Sequence, residues 1–188
     1  MSPLAAMKGL WFAWALSWTI AALWSRRTEA RPGASAEYLY RLVTLAGVAL
    51  LFELDHFPFL GLELWRSPLP LGWVLVGLAA LGFSFCWWAR IHLGTLWSSS
   101  VTRKADHRII DTGPYAWVRH PIYTGIITAS IAMAIEVGTP GALLGFALVV
   151  LGFWIKARLE ERFLRTELGA EAYDAYSRRT AMLIPGLK

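Results

Sequence analysis

The chain has 188 residues, of which 56% are hydrophobic and only 16% are charged, and its mean hydropathy is +0.47. Soluble domains typically carry about 25% charged residues, so this composition excludes an ordinary soluble domain and indicates a single integral membrane domain. The formal net charge is +5, but the basic residues are spread between apolar runs, which argues against nucleic-acid binding. The single cysteine, Cys86, excludes an intramolecular disulfide framework and a cysteine-based zinc site.

Five apolar runs predict five transmembrane helices. In chain order they cover about residues 4–24, 39–54, 71–91, 122–137 and 141–155. The second run ends in Glu53, Asp55 and His56, which we expect at the membrane surface opposite the catalytic groups. The last two runs are shorter than the roughly 20 residues of a full span, so they predict a short hairpin or helices lengthened by polar flanks. Residues 138–141 (Gly-Thr-Pro-Gly) predict the turn between them.

The distribution of basic residues predicts the orientation in the membrane. With five spans, fifteen of the 18 Lys and Arg residues lie on one side, whereas Lys8 and Arg66 lie on the other and Arg41 lies within the second span. The excess of positive charge on cytoplasmic loops therefore places the C-terminus in the cytoplasm and the N-terminus on the opposite face. Because Arg26 and Arg27 follow the first run, we interpret that run as a span and not as a secretion signal.

The segment after the fifth run predicts an amphipathic cytoplasmic tail. Apolar residues recur there at helical spacing among charges, which predicts that the helix continues to Leu168 and ends at Gly169. Residues 170–179 predict a second short helix that carries Tyr173 and Tyr176. We expect this tail to lie on the membrane or to pack over a cytoplasmic site.

Two polar motifs flank the last two runs. Residues 113–125 (GPYAWVRHPIYTG) precede and open the fourth run, and residues 158–161 (RLEE) close the fifth. A hairpin would place both motifs on the same side at the same depth, so we expect them to form one site. The simpler interpretation of the first motif is a helix start, with proline at its first position and Arg119 among interfacial aromatic residues.

The adjacent carboxylates Glu160 and Glu161 favour a functional role for the second motif. They stand within a strongly basic surface, against the local charge pattern. Neighbouring residues of a helix point about 100° apart, so we expect one glutamate to face the site and the other to support it.

Several kinds of site lack their sequence patterns. The chain has no Gly-x-Gly-x-x-Gly turn, so a Rossmann-type cofactor site is not expected. No Ser-His-Asp order indicates a hydrolase. The histidines at 92, 107 and 120 and the glutamates match no metal-ligand spacing, so we expect no metal. A nucleotide-like cofactor would have to be held by the membrane helices themselves.

The ordered motif set resembles the isoprenylcysteine carboxyl methyltransferase family, and the related phospholipid methyltransferases share much of it. The resemblance covers roughly residues 93–185. Its Arg-His-Pro piece alone is less specific, because it also occurs in membrane sterol reductases. The motifs that carry the resemblance are Gly113-Pro114-Tyr115, Arg119-His120-Pro121, Tyr123, Gly125, Glu160-Glu161, Gly169, Tyr173, Tyr176 and Ile184-Pro185.

This resemblance implies an all-α membrane enzyme that uses S-adenosylmethionine at a cytoplasmic site covered by the C-terminal tail. We therefore treat 1–188 as one domain, with three N-terminal spans in 1–92 and the catalytic motifs in 93–188. The resemblance implies that Arg119 and Arg158 orient the methyl acceptor. It implies cofactor contacts by His107, Ile109, Gly113, Tyr115, His120, Pro121, Tyr123, Glu160 and Glu161.

The function that follows is methyl transfer to a lipophilic small molecule, favoured at a carboxylate such as that of an isoprenoid or a prenylcysteine. Aromatic faces and carboxylates suit a methyl sulfonium cation. A carboxylate acceptor needs no general base, whereas an amine must first lose a proton. The alternatives are N-methylation of a phospholipid or other amine, a membrane reductase with a nicotinamide cofactor, and a non-enzymatic module that binds membrane lipid. No nucleic-acid partner is expected.

Overall fold

The computed structural model describes residues 1–22, 28–30, 34–53, 58–94, 97, 103–104 and 109–187. The described chain is largely helical, as the sequence predicts. Its helices are α1 (Pro3–Ala22), α2 (Ala34–Leu51), α3 (Leu69–Leu93), α4 (Pro121–Val137), α5 (Pro140–Leu168) and α6 (Ala170–Arg179), with a short 3₁₀ helix at Gly113–Ala116. Strands β1 (Thr28–Ala30) and β2 (Arg103–Lys104) form a small antiparallel pair, which the sequence analysis did not predict.

The turn between α4 and α5 follows from its residues. Gly138 ends α4 with a φ of +69°, a conformation that glycine adopts without steric cost, and its N–H donates to the carbonyl of Ala134. Thr139 caps α5, because its hydroxyl accepts a hydrogen bond from the N–H of Ala142 at 3.2 Å. Pro140 occupies the first position of α5, where a missing N–H has no cost. The turn lies where the sequence predicts it.

Helix α5 extends well beyond its apolar run. It covers 29 residues and stops at Leu168, before Gly169, whose φ is +94°. The fifth run is therefore lengthened by its polar flank, and Glu160 and Glu161 lie on the same continuous helix as the apolar segment. The second short helix, α6, follows directly and has the predicted bounds.

Two of the described helices are long and apolar enough to cross a membrane. They are Leu69–Leu93 and Pro140–Glu167, while Pro121–Val137 is apolar but shorter. Large apolar side chains also point outward from α1 and α3, among them Phe12, Ile20 and Leu81, each more than half exposed. An apolar outer surface of this kind is typical of helices in contact with lipid.

Close backbone contacts fix how the helices pair. A Cβ at Gly82 of α3 would lie 2.6 Å from the carbonyl oxygen of Gly125 in α4, so any side chain there would separate the two helices. A Cβ at Gly47 of α2 would lie 2.8 Å from the carbonyl oxygen of Gly145 in α5. Glycine therefore permits two tight antiparallel pairs, α3 with α4 and α2 with α5.

Helix α1 runs alongside α3 in the same direction, and a buried arginine ties their ends together. The guanidinium of Arg90 donates to the carbonyl of Ala21 at 2.9 Å and to that of Gly94 at 2.7 Å. It also lies over the ring of Trp97, 4.3 Å from the centroid. These contacts place a positive charge against the carbonyl ends of both helices, where it is stabilising.

One end of the bundle, here called the tail end, thus holds the C-terminal ends of α1, α3 and α5 and the N-terminal ends of α2 and α4. The chain after α6 lies against this end. At the opposite end the indole N–H of Trp65 donates to the carbonyl of Ile135, and Lys8 pairs with Glu53 at 3.4 Å. Glu53 lies at that end, as expected, whereas Asp55 and His56 fall outside the described residues.

Candidate functional site

The start of α4 presents a stack of three rings at the tail end. His120 precedes the helix and its ring is buried. The rings of His120 and Tyr123, three residues apart on one helical face, are nearly parallel, with centroids 5.1 Å apart. The ring of Phe153 from α5 also stacks on Tyr123, with centroids 4.9 Å apart. The helix start therefore delivers an aromatic surface to the last turns of α5.

The two glutamates of α5 accept hydrogen bonds from different side chains at this stack. Glu161 accepts hydrogen bonds at Oε1 from Nε of Arg119 (2.7 Å) and from Nε2 of His120 (3.2 Å). Glu160 accepts at Oε2 from the hydroxyl of Tyr123 (2.6 Å), and this oxygen lies 3.7 Å from Nδ1 of His120. The structure therefore brings the two sequence motifs together. We call His120, Tyr123, Phe153, Glu160 and Glu161 the carboxylate–aromatic cluster.

The side chains of the two glutamates differ in how far they are exposed to solvent. The side chain of Glu161 is 13% exposed and is held by a cation and an imidazole, whereas that of Glu160 is 26% exposed. Among the described residues, Glu160 accepts a hydrogen bond from Tyr123 at one of its two oxygens. Glu160 is thus the more accessible carboxylate, while Glu161 braces the residues around it.

Arg119 joins α5 to the tail. Besides Glu161, its guanidinium donates to the carbonyl of Ser177 at 3.1 Å and to that of Thr180. Carbonyl groups at a helix C-terminus carry partial negative charge, so a cation is favourable there. These contacts give Arg119 a bracing position beneath α6, and its role in orienting the acceptor stays a prediction.

The backbone of the tail pairs with the first motif. The N–H groups of Arg119 and His120 donate to the carbonyls of Ala181 and Met182 at 2.8 and 3.2 Å. The hydroxyl of Thr124 donates to the carbonyl of the next tail residue at 2.6 Å. The tail therefore packs over the cluster and excludes solvent from one side of it.

Buried tyrosines of α6 and of the 3₁₀ helix also lie at the packed side of the carboxylate–aromatic cluster. The hydroxyl of Tyr176 donates to the carbonyl of Tyr115 at 2.8 Å, which links α6 to the 3₁₀ helix. Burial is the main cause that raises the pKa of Tyr115, Tyr173 and Tyr176 above the ordinary tyrosine value. All three phenols therefore stay neutral at physiological pH and can act as hydrogen-bond donors.

The glycine at 113 is required by its surroundings. Its φ is +58°, and a Cβ there would lie 2.8 Å from the ring of His92. His92 in turn shares a 2.8 Å hydrogen bond with the hydroxyl of Thr112 and stacks near Tyr115. Gly113 thus lets the chain turn closely around His92 and set Tyr115 under α6.

The remaining predicted residues are more dispersed. Pro121 is buried as the first residue of α4, and Ile109 is half-buried before the 3₁₀ helix. Arg158 is exposed, and its guanidinium carbon lies 5.7 Å from the ring centroid of Trp154. His107 lies outside the described residues.

Three residues at the site were not predicted from the sequence. Phe153 stacks on Tyr123, and the ammonium of Lys156 lies 5.1 Å from the ring centroid of Tyr123 and 5.6 Å from that of Tyr40. The spacing of residues 153, 156 and 160 places them on one face of α5, a signal that could have identified the first two. Tyr40 comes from α2, and only tertiary packing brings it here.

Together these groups define a helical protein with an apolar outer surface and, at one end, a partly exposed carboxylate set among aromatic rings. Comparison with known sequences shows what this chain resembles. The sequence model of the isoprenylcysteine carboxyl methyltransferase (ICMT) family matches residues 75–166, from within α3 to near the end of α5. Over this segment, just under half of its length, the chain is similar to the isoprenylcysteine carboxyl methyltransferase family.

Several curated methyltransferases are also similar to this chain. Protein-S-isoprenylcysteine O-methyltransferase of Saccharomyces cerevisiae is 32% identical over 84 residues, 44% of this chain and 35% of the relative. Protein-S-isoprenylcysteine O-methyltransferase B of Arabidopsis thaliana is 26% identical over 155 residues, 78% of this chain and 73% of the relative. Methanethiol S-methyltransferase 1 of Bradyrhizobium diazoefficiens is 42% identical over 71 residues, 38% and 24% of the two chains. The chain spans about a third of the yeast protein that it matches.

Proposed function

We propose that this chain is an S-adenosylmethionine-dependent methyltransferase that acts on the carboxylate of a lipophilic small molecule at the cytoplasmic face of a membrane. The observation that carries the proposal is the partly exposed carboxylate of Glu160, which is held by the hydroxyl of Tyr123 beside the ring of His120. The match to the family model and the names of the yeast and Arabidopsis relatives support methyl transfer to a carboxyl group.

The cluster fits the proposed methyl donor. S-adenosylmethionine is a sulfonium cation with apolar and aromatic parts, and such cations favour carboxylates and aromatic faces. Glu160 supplies a carboxylate, Tyr123 and Phe153 supply stacked rings, and buried Tyr115 adds a neutral phenol. These residues, with His120, would hold the donor. When bound, it supplies an electrophilic methyl group.

The chain's own residues act by positioning. The hydroxyl of Tyr123 keeps the carboxylate of Glu160 in one orientation, while Glu161 and Arg119 fix the imidazole of His120 and anchor the tail. Holding reactants in a defined geometry can supply much of a rate enhancement. A carboxylate acceptor is already ionised at neutral pH, so no residue needs to remove a proton from it.

We further propose five membrane spans with the tail end in the cytoplasm. The described helices alternate in direction, and the basic residues that the structure describes concentrate at the tail end, both of which support this topology. The apolar part of the acceptor would then reach the cluster from the bilayer. Reporter fusions at the two termini test the topology, because five spans require the termini to lie on opposite sides.

The activity is tested with purified chain in lipid nanodiscs and methyl-labelled S-adenosylmethionine. N-acetyl-S-farnesylcysteine serves as the carboxylate acceptor and phosphatidylethanolamine as the amine acceptor. A methyl ester releases volatile labelled methanol in base, whereas an N-methyl group does not. We expect base-labile product from the farnesylcysteine and a large loss of turnover in Glu160→Gln, with Glu171→Gln on α6 as the exposed control. Base-stable product from the phospholipid alone would instead assign amine methylation.

A thiol acceptor is the second candidate, because the Bradyrhizobium relative is named as a methanethiol S-methyltransferase. Thioether products are also stable in base. A hydrophobic thiol therefore forms a third arm of the same assay, and preferential labelling of that thiol would replace the carboxylate proposal.

A further inference from the structure

Helix α2 lies outside residues 75–166, the segment that the family model matches, yet it supplies one wall of the site. We propose that Tyr40 of α2 and Lys156 of α5 form a specificity-determining pair that selects a negatively charged acceptor. This inference rests on the proposed function and adds the residues that would distinguish a carboxylate from a neutral group.

The register of α2 against α5 places the two residues opposite each other. The helices are antiparallel, and Thr44 lies directly against Gly152, where a Cβ would lie 3.1 Å from the N of Thr44. Tyr40 lies one helical turn before Thr44 on α2, and Lys156 lies one helical turn after Gly152 on α5. The glycine contact therefore fixes Tyr40 and Lys156 as neighbours at the tail end.

The ammonium of Lys156 lies between two aromatic rings. Its Nζ is 5.6 Å from the ring centroid of Tyr40 and 5.1 Å from that of Tyr123, distances at which a cation is attracted to a ring face. Tyr40 is buried, so its ring has little freedom to move away. The two rings thus confine a long, otherwise flexible cation to one position beside the carboxylate–aromatic cluster.

The charges around this position favour an anion once the methyl donor is present. On α2, Glu37 pairs with Arg41. On α5, Glu160 lies one turn beyond Lys156. These two carboxylates and two cations together carry no net charge. A bound sulfonium adds one positive charge. A carboxylate acceptor restores neutrality, whereas an amide or a protonated amine does not.

Lys156 also has a better position for this role than the two arginines considered from the sequence. Arg119 is engaged with Glu161 and with tail carbonyls, and Arg158 is exposed beside Trp154. The ammonium of Lys156 lies against the ring of Tyr123, whose hydroxyl holds Glu160. It is thus linked through a single side chain to the group that we propose holds the donor.

The test compares binding of a charged and an uncharged acceptor. N-acetyl-S-farnesylcysteine and its carboxamide are titrated into the chain in nanodiscs saturated with sinefungin, an unreactive analogue of S-adenosylmethionine that carries an ammonium in place of the sulfonium. S-adenosylhomocysteine, the demethylated product, is titrated separately. We expect the wild-type chain to bind the acid about tenfold or more tightly than the amide, because a charge-assisted contact is lost in the amide. Lys156→Met should bring the ratio close to one, and Lys156→Arg should retain most of it.

Tyr40→Leu removes the ring that confines the ammonium and should lower the acid-to-amide ratio about threefold or more. Tyr40→Phe keeps the ring and should keep the ratio. The matched control is Tyr38→Leu on the same helix, where the native side chain is 62% exposed. Binding of S-adenosylhomocysteine should change by less than about twofold in every variant, which confirms that each remains folded. If Lys156→Met does not fold, the acid-to-amide ratio of Tyr40→Leu tests the proposal instead.

The outcomes separate this inference from the proposed function. Methylation of the farnesylcysteine by wild type together with an unchanged acid-to-amide ratio in both Lys156→Met and Tyr40→Leu would overturn the pair and leave the enzyme assignment intact. Equal binding of acid and amide by wild type would overturn it too. Failure of wild type to bind the demethylated product would overturn the proposed function and, with it, the inference.

Discussion

Replacing each of the two adjacent glutamates by glutamine should affect a different property of the protein. Glu161 accepts hydrogen bonds from Arg119 and His120 and is mostly buried, whereas Glu160 accepts from Tyr123 and is about a quarter exposed. Glutamine keeps the size of the side chain but removes the charge. We therefore expect Glu161→Gln to lower stability and Glu160→Gln to lower affinity for the methyl donor.

The magnitudes follow from the contacts. A hydrogen bond to a charged group contributes about 1.5–3 kcal/mol and a neutral one about 0.5–1.5 kcal/mol. Weakening two such bonds in Glu161→Gln should cost about 1–3 kcal/mol, or a fall of roughly 2–12 °C in the thermal midpoint for a chain of this size. The glutamine in Glu160→Gln can still accept from Tyr123, so its stability should fall by less than about 1 kcal/mol.

The donor affinity should show the reverse order. If Glu160 contacts the sulfonium or the amino group of S-adenosylmethionine, its neutralisation should weaken binding about ten- to a hundredfold. Isothermal titration of the detergent-solubilised variants measures this, with Glu171→Gln as an exposed control. Wild-type affinity in both variants would refute a carboxylate-based site. A loss confined to Glu161→Gln, with stability intact, would reassign the donor contact to that residue.

Three further predictions concern the packing that supports the site. Gly125→Ala should lower the thermal midpoint by several degrees because a Cβ meets α3, whereas Gly77→Ala, which meets nothing within 4 Å, should be neutral or slightly stabilising. Tyr176→Phe should cost about 1 kcal/mol in chemical denaturation, because the carbonyl that its hydroxyl bonds stays buried. The hydrogen bond from Arg165 lowers the pKa of Asp174, so any stabilisation by this pair is complete above the unfolded-state pKa and is lost as pH falls through the folded-state pKa. Because solvent reaches both side chains, Asp174→Asn should change the thermal midpoint at neutral pH very little.

The regular elements were predictable because their signals are local. Proline at the start of α4, the turn at 138–141 and the glycine at 169 each act on the backbone within a few residues, and the helices begin or end there. The extent of α5 and of α6 followed in the same way from periodicity. The strand pair β1–β2 joins segments about 75 residues apart, and no local pattern specifies that contact.

The site was predictable in its location but less so in its arrangement. A hairpin of α4 and α5 suffices to bring the motif around His120 to the glutamate pair, and the sequence predicts that hairpin. The direction of each side chain depends on tertiary contacts instead. Arg119 turns to the tail carbonyls, and Tyr40 reaches Lys156 only because glycines let α2 and α5 approach closely.

The most direct test of the account is equilibrium binding of three ligands to the purified wild-type chain. S-adenosylmethionine, S-adenosylhomocysteine and NADPH are each titrated in detergent under the same conditions. We expect saturable, one-to-one binding of the first two and none of NADPH, with weaker binding of S-adenosylmethionine by the Glu160→Gln variant. Binding of NADPH in place of the methyl donor would contradict the account and point to a reductase on the same helical scaffold.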